Sequence, residues 1–277
     1  MTLFQPRKRF GQHFLHERGV IERILHALNL QADDIVVEIG PGRGALTRGL
    51  VGRVAELHVV ELDRDLVEFL RREYSPSQLT VHSADALRFD FRPLRHDQRR
   101  LRIIGNLPYN ISTPLLFHLL DQMEVVQEAE NGASLHRGPR LGPISDMLFM
   151  LQKEVVERMA AGPGGKDYGR LSVMIQWRAQ VEKLFNVPPG AFTPPPRVDS
   201  SVVRLVPHAT PPVTVTDPGR FALTVQAAFA HRRKTLRNTL KGLVDESGFA
   251  RAGIDPVRRA ETLTLAEFAR LACQVTG

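Results

Sequence analysis

Ile35-Val36-Val37-Glu38-Ile39-Gly40-Pro41-Gly42-Arg43-Gly44 decides how this chain folds. Ile35–Ile39 is a short β-branched run that leads straight into glycines at alternate positions, and Ala45–Val51 behind them is helix-compatible. Glycine lets the backbone turn tightly and approach a ligand closely, at the start of a helix whose amide dipoles favour negative charge. The same alternation continues outward. Glu56–Glu61 reads as a strand and Arg64–Glu73 as a helix. Leu79–His82 and Leu101–Ile104 repeat the strand pattern, with Ser112–Asp121 helical after Pro108. Strands alternating with helices predict βαβ units and a parallel sheet covered on both faces. Right-handed crossovers then bring the C-terminal end of every strand to one edge. Gly40, Glu61, Asp85 and Asn106 all fall at or just past such ends, so one rim carries four polar or glycine positions.

Each position supports chemistry and also has a plainer reading. The glycine spacing is G-x-G-x-G rather than the dinucleotide G-x-G-x-x-G, which disfavours a pyrophosphate but leaves a plain tight turn open. Glu61 ends the second strand, where a carboxylate can accept from both hydroxyls of a ribose. Asp85 follows the third strand and either accepts from an adenine amine or caps the next helix. These three positions suit any adenosine-containing cofactor, so they do not separate an oxidoreductase from a methyltransferase.

The fourth strand does, because it ends in Gly105-Asn106-Leu107-Pro108-Tyr109. The proline holds an extended turn that can aim the Asn106 oxygen and a backbone carbonyl into a cleft. Two acceptors gripping both N–H bonds of an aromatic amine favour a pyramidal nitrogen and aim its lone pair. Tyr109 can stack on the base, a contact worth roughly 1–3 kcal/mol. Phe192, on the proline-rich arm Phe192-Thr193-Pro194-Pro195-Pro196, either closes the other side of the base or is a buried anchor. The combination points to methyl transfer from S-adenosylmethionine onto a base nitrogen.

The 277 residues suffice for one large domain with a smaller appendage. With 37 Lys+Arg against 30 Asp+Glu the net charge is +7, which favours a polyanionic partner. The single cysteine, Cys273, rules out an internal disulfide or a thiolate metal cluster, and no metal is expected. No 18-residue apolar run occurs and the basic start precedes no apolar stretch, so no membrane association and a cytoplasmic location are expected. Residues 124–145 lack a clear period and read as a surface excursion. Val187–Arg197 holds five prolines and reads as a rigid connector. After Pro207 only amphipathic helices are expected, over Asp217–Val244 and Thr264–Val275. The division is therefore a catalytic domain over 1–207, with a basic head over 1–23, and a helical domain over 208–277. Arg7, Lys8 and Arg9 in the head, and Arg232, Arg233, Lys234 and Arg237 in the helical domain, are candidate RNA contacts, with a solvated face as the alternative.

At these residues the chain resembles the ribosomal RNA adenine dimethyltransferases, and the bacterial small-subunit enzymes among them. The matches include Arg7-Lys8-Arg9-Phe10-Gly11-Gln12-His13-Phe14-Leu15, Val37–Gly42, Val60-Glu61-Leu62-Asp63, Gly105–Pro114, Gln152-Lys153-Glu154-Val155, Tyr168–Val173, Phe192–Ser200 and His231–Asn238. The resemblance implies a Rossmann-like class I S-adenosylmethionine-dependent methyltransferase fold, a seven-stranded sheet with a small all-helical C-terminal domain. It implies cofactor positions at His13, Leu15, Gly40, Glu61, Asp85 and Asn106, where His13 stands at a site that members fill with Asn or His. Target-base positions are implied at Asn106, Leu107, Pro108, Tyr109 and Phe192. The implied reaction is dimethylation of N6 on two adjacent adenosines in a hairpin loop near the 3′ end of 16S rRNA, within the small ribosomal subunit and late in its assembly. A monomer is expected. A related class that dimethylates large-subunit rRNA is the nearest alternative.

Overall fold

A computed structural model describes residues 12–97, 99–122, 127–128, 134–135 and 144–275. Arg7, Lys8 and Arg9, and most of the excursion over 124–145, lie outside the described residues. Seven strands form one sheet in the order Thr80–Ser83, Glu56–Glu61, Ile35–Ile39, Leu101–Asn106, Ile144–Gln152, Ser200–Pro207, Ala179–Val187. The first five pair in parallel, as the alternation of strands and helices predicts. The all-parallel expectation is corrected at Ser200–Pro207, which runs antiparallel to Ile144–Gln152. A parallel neighbour needs a long crossover, usually a helix. The proline-rich connector enters Ser200–Pro207 from its other neighbour in the sheet, Ala179–Val187, and holds only a 3-10 turn, Pro189–Ala191, and the two-residue strand Phe192–Thr193, so no helical crossover links those two strands. That short strand pairs antiparallel with Phe14–Leu15.

The central strands are apolar because both their faces are covered. Ile35–Ile39 is buried throughout, and Leu101, Ile103 and Ile104 are closed to solvent beside it. Arg102 is the charged exception. Its guanidinium donates to Asp34 Oδ2 at 3.0 Å and, with two nitrogens, to the Asp146 carboxylate at 2.6 and 2.8 Å. Two carboxylates on one delocalised cation make a buried charge tolerable. The helix Arg64–Glu73 starts at Asp63, whose side chain caps the Asp65 amide at 3.1 Å. The helix expected over Ala45–Val51 shortens to Thr47–Leu50.

The chain divides into two compact units, one of residues 1–125, 141–156 and 182–207, the other of 126–140, 157–181 and 208–277. The second unit is helical, with Arg170–Arg178, Pro218–Ala228, Glu246–Ala252 and Leu265–Ala272 as its main helices. Trp177 packs against Phe221 with ring centroids 4.9 Å apart, and the Tyr168 hydroxyl donates to the Leu263 carbonyl at 2.9 Å. The helix expected over Asp217–Val244 stops at Ala228 and resumes only over Leu236–Thr239. The break falls across His231-Arg232-Arg233-Lys234.

Candidate active site

The parallel strands deliver their C-terminal ends to a single cavity of about 360 Å³ in the sheet-containing unit. His13, Leu15, Gly40, Glu61, Asp85, Asn106, Leu107, Pro108 and Tyr109 all line it. Of the expected cofactor and target-base positions, Phe192 alone is elsewhere. It is 2% exposed in the core, where its backbone pairs with Leu15.

Gly40 and Gly42 hold φ of 64° and 56°, a left-handed backbone that side-chain-bearing residues avoid. At Gly40 a Cβ would meet nothing within 4 Å and would project into open space; at Gly42 it would press on the Phe14 ring at 3.0 Å. Phe14 thus folds down onto the glycine turn, with the Arg43 guanidinium 4.9 Å from its ring centroid. Glu61 lies at the floor. One carboxylate oxygen accepts from the Leu62 and Asp63 amides at 2.9 Å each, and the other from Gly42 at 3.4 Å. Burial raises its pKa above the usual carboxylate value, against the pull of those three amides. Asp85 Oδ1 accepts from the Leu87 amide at 3.0 Å across a turn, Ala86–Arg88, so no helix follows for it to cap, and the residue lines the cavity.

Asn106 ends its strand with Nδ2 donating to the His13 carbonyl at 2.9 Å. That bond uses the amide nitrogen as donor and leaves the acceptor oxygen, Oδ1, on a residue that lines the cavity. The neighbouring Leu107 amide donates to the Met150 carbonyl at 3.2 Å. The Tyr109 hydroxyl meets Ser200 Oγ at 2.7 Å, and its ring lies against the His13 imidazole with centroids 5.7 Å apart. Just before Asn106, glycine at 105 lets this strand end lie close to Ile39, since a Cβ there would sit 2.6 Å from the Ile39 carbonyl oxygen.

Several site residues escape a reading based on motifs. Glu38 is buried at 2% exposure, lines the cavity and accepts from the Thr47 hydroxyl at 2.6 Å. Its burial, opposed by the Thr47 bond and reinforced by the nearby Glu61, raises its pKa to about 7. A lone carboxylate inside an apolar strand is a signal that could have found it. Phe14 and Ser200 carry no such signal, since they reach the site only through folding. On the helical unit, Arg232, Arg233, Lys234 and Arg237 are exposed. Arg232 pairs with Glu261 at 3.2 Å and Arg237 with Glu246 at 2.8 Å. Among the described residues no group of three or more His, Cys, Asp or Glu is placed to hold a metal, and no helix is long and apolar enough to cross a membrane.

Comparison with known proteins matches the family model described as ribosomal RNA adenine dimethylase over residues 3–276. Proteins named ribosomal RNA small subunit methyltransferase A are similar over most of their length. That of Pseudomonas putida is 54% identical, covering 98% of this chain and 95% of its own, and that of Alcanivorax borkumensis is 53% identical, covering 98% and 91%. Among solved structures, a dimethyladenosine transferase from Plasmodium falciparum has a TM-score of 0.71 at 23% identity, covering 94% of this chain and 96% of its own. The 23S rRNA methyltransferase ErmE has a TM-score of 0.66 at 23% identity, covering 95% and 99%. These two likenesses show a shared fold, that of the class I methyltransferases.

Proposed function

This chain belongs to the ribosomal RNA adenine dimethylase family, and we propose that it dimethylates N6 of two adjacent adenosines in the 3′-terminal hairpin loop of 16S rRNA. The small-subunit relatives at above 50% identity favour this substrate over large-subunit rRNA, since ErmE shares only the fold. The observation that carries the reading is the Asn106 amide, which lines the cavity with its nitrogen held on the His13 carbonyl.

The cavity suits S-adenosylmethionine. Gly40 leaves open room where any side chain would intrude, and Glu61 sets a carboxylate stiffened by three backbone amides at the place of a ribose. Asp85 lines the cavity as an acceptor for an adenine amine, and Leu15 and His13 line it too. Bound there, the cofactor supplies an electrophilic methyl group on sulfur. The chain's own part is orientation. Asn106 Oδ1 and the Leu107 carbonyl accept from the target amine, Pro108 holds the turn, and the Tyr109 ring stacks on the base. Asn106 is a neutral acceptor and no strong base is required, because an alkylated ammonium loses its proton readily. Positioning then supplies most of the rate. Phe192 supports this face from the core, through the Phe192–Leu15 ladder.

We assign residues 1–207 to catalysis and 208–277 to holding the ribosomal particle, with Arg7, Lys8, Arg9, Arg232, Arg233, Lys234 and Arg237 against RNA phosphates. The enzyme acts as a monomer in the cytoplasm, late in small-subunit assembly. The test is methylation of small subunits from cells lacking the gene, read by mass analysis of the 16S and 23S rRNA. Two dimethyladenosines per 16S molecule are expected. Asn106→Ala is expected to fold and to lose turnover by at least about a hundredfold, the scale of removing a positioned group. Methylation of 23S rRNA instead, or near-normal turnover by the variant, would refute the assignment.

A further inference from the structure

Three contacts meet at His13. Its carbonyl accepts from Asn106 Nδ2 at 2.9 Å, its ring Nδ1 lies 2.7 Å from the Pro194 carbonyl oxygen, and its ring stacks on Tyr109 with planes 29° apart. A carbonyl can only accept, so Nδ1 carries the ring proton and donates. That bond ties the side chain to the proline-rich arm. The adjacent backbone is tied to the same arm by Phe14 pairing with Thr193, Leu15 pairing with Phe192, and the His16 amide donating to the Ala191 carbonyl at 3.0 Å. The His13 carbonyl is thereby held from both sides, and it in turn sets the direction of Asn106 Oδ1.

We propose that His13 is a positioning residue for the second of the two methyl transfers to each adenosine, an inference that rests on the adenine-N6 reading above. In each transfer N6 forms a bond to the methyl carbon, the carbon–sulfur bond breaks with its electron pair left on sulfur, and one N6 proton leaves to water. The first transfer starts from an amine with two N–H donors, which two acceptors on the rim can grip. The second starts from an amine with one N–H and a bulky methyl group. Only one grip remains, and the lone-pair direction depends on a single acceptor and on the stacked ring. Asn106 is the acceptor whose direction His13 fixes, through the tie of its side chain to the Pro194 carbonyl.

The experiment reads the ratio of N6-monomethyladenosine to N6,N6-dimethyladenosine in digests of 16S rRNA, at matched total methyl transfer and saturating S-adenosylmethionine. His13→Phe keeps a ring but removes the donor to Pro194; His13→Asn removes the ring but keeps an amide donor. The phenylalanine variant is expected to raise the ratio about fivefold, the rate equivalent of one neutral hydrogen bond, and the asparagine variant to stay near wild type. Matching the total methyl transfer removes the effect of a smaller folded fraction, and saturating S-adenosylmethionine removes that of weaker cofactor binding. If His13→Phe does not fold, a raised ratio in His13→Asn overturns the assigned role of the donor, and a wild-type ratio supports it. An unchanged ratio in a folded His13→Phe overturns this inference alone. A wild-type enzyme that makes no methyladenosine overturns the adenine reading, and this inference with it.

Discussion

At Tyr109 the ring and the hydroxyl have separate jobs. The ring faces the cavity, while the hydroxyl pairs with Ser200, whose side chain is closed to solvent. Tyr109→Phe leaves a buried Ser200 hydroxyl unpaired and is expected to cost about 1–2 kcal/mol of stability while retaining most turnover. Tyr109→Ala removes the stack, roughly 1–3 kcal/mol, and is expected to lose turnover tenfold or more. Denaturant melts and initial rates on the two variants check this, and equal losses of turnover would assign chemistry to the hydroxyl. Glu38 poses the opposite problem, a carboxylate where the fold prefers a neutral group. Its pKa is raised from 4.5 to about 7, so the folded state holds the proton more tightly than the unfolded state. Stability from this group is therefore full below about pH 4.5 and declines as pH rises to about 7, by on the order of 3 kcal/mol. Glu38→Gln keeps an acceptor for Thr47 and removes the titration. Relative to wild type it is expected to melt higher at pH 8 and alike at pH 4, as calorimetry at the two pH values would read. Glu38 was visible in the sequence as a charge in an apolar strand, but its partner Thr47 was not, because the glycine turn between them shows that the chain reverses and not which side chain of the following helix it brings back onto the strand.

The strand Leu101–Asn106 does its work by lying close to Ile35–Ile39 at the point where both end. Gly105 makes that approach possible, since a Cβ would sit 2.6 Å from the Ile39 carbonyl and 3.0 Å from Leu107 Cδ2. Backbone cannot yield as a flexible side chain does. Gly105→Ala is therefore expected to destabilise by about 1–3 kcal/mol and to swing Asn106 off its bond to His13, lowering turnover even in the folded fraction. Activity normalised to folded protein is the measurement, and full specific activity would show that the strand relaxes without moving its last residue. Ile35–Ile39, Glu56–Glu61 and Arg64–Glu73 were legible to the residue because the strands centre on adjacent valines ahead of a polar or glycine end and the helix is an Asp-capped amphipathic stretch. Ala179–Val187 was not, since its burial follows no strict alternation, and Ser200–Pro207 was hidden behind the proline run that precedes it.

For the molecule as a whole, the net charge of +7 matters through where unpaired cations stand. Arg232 and Arg237 are engaged with Glu261 and Glu246, and exposed pairs of this kind are worth little but do lower the free positive charge. Arg233 and Lys234 have no partner among the described residues and are exposed. Replacing both with Glu is expected to weaken binding to small subunits and to lower the salt slope by about two, one for each phosphate no longer neutralised. Cofactor affinity is expected to stay unchanged, since the cavity lies in the other unit. A salt titration checks it, and an unaltered slope would leave these cations as a solvated surface.

Local patterns determined what local patterns can encode. The glycine turn, the strands that end in Glu61 and Asn106, and the Asn-Leu-Pro-Tyr turn are each specified within a few residues, by backbone freedom, β-branching and a fixed proline φ. Their meeting on one rim follows from the handedness of βαβ crossovers. Contacts between distant segments were decided only by the tertiary structure: Phe14 on Gly42, His13 on Asn106 and Pro194, Ser200 on Tyr109, and the seating of Phe192 in the core. The grouping of residues 157–181 with the C-terminal helices belongs to the same class. No short-range preference encodes these contacts, because each is a packing solution between surfaces that exist only once the sheet has formed.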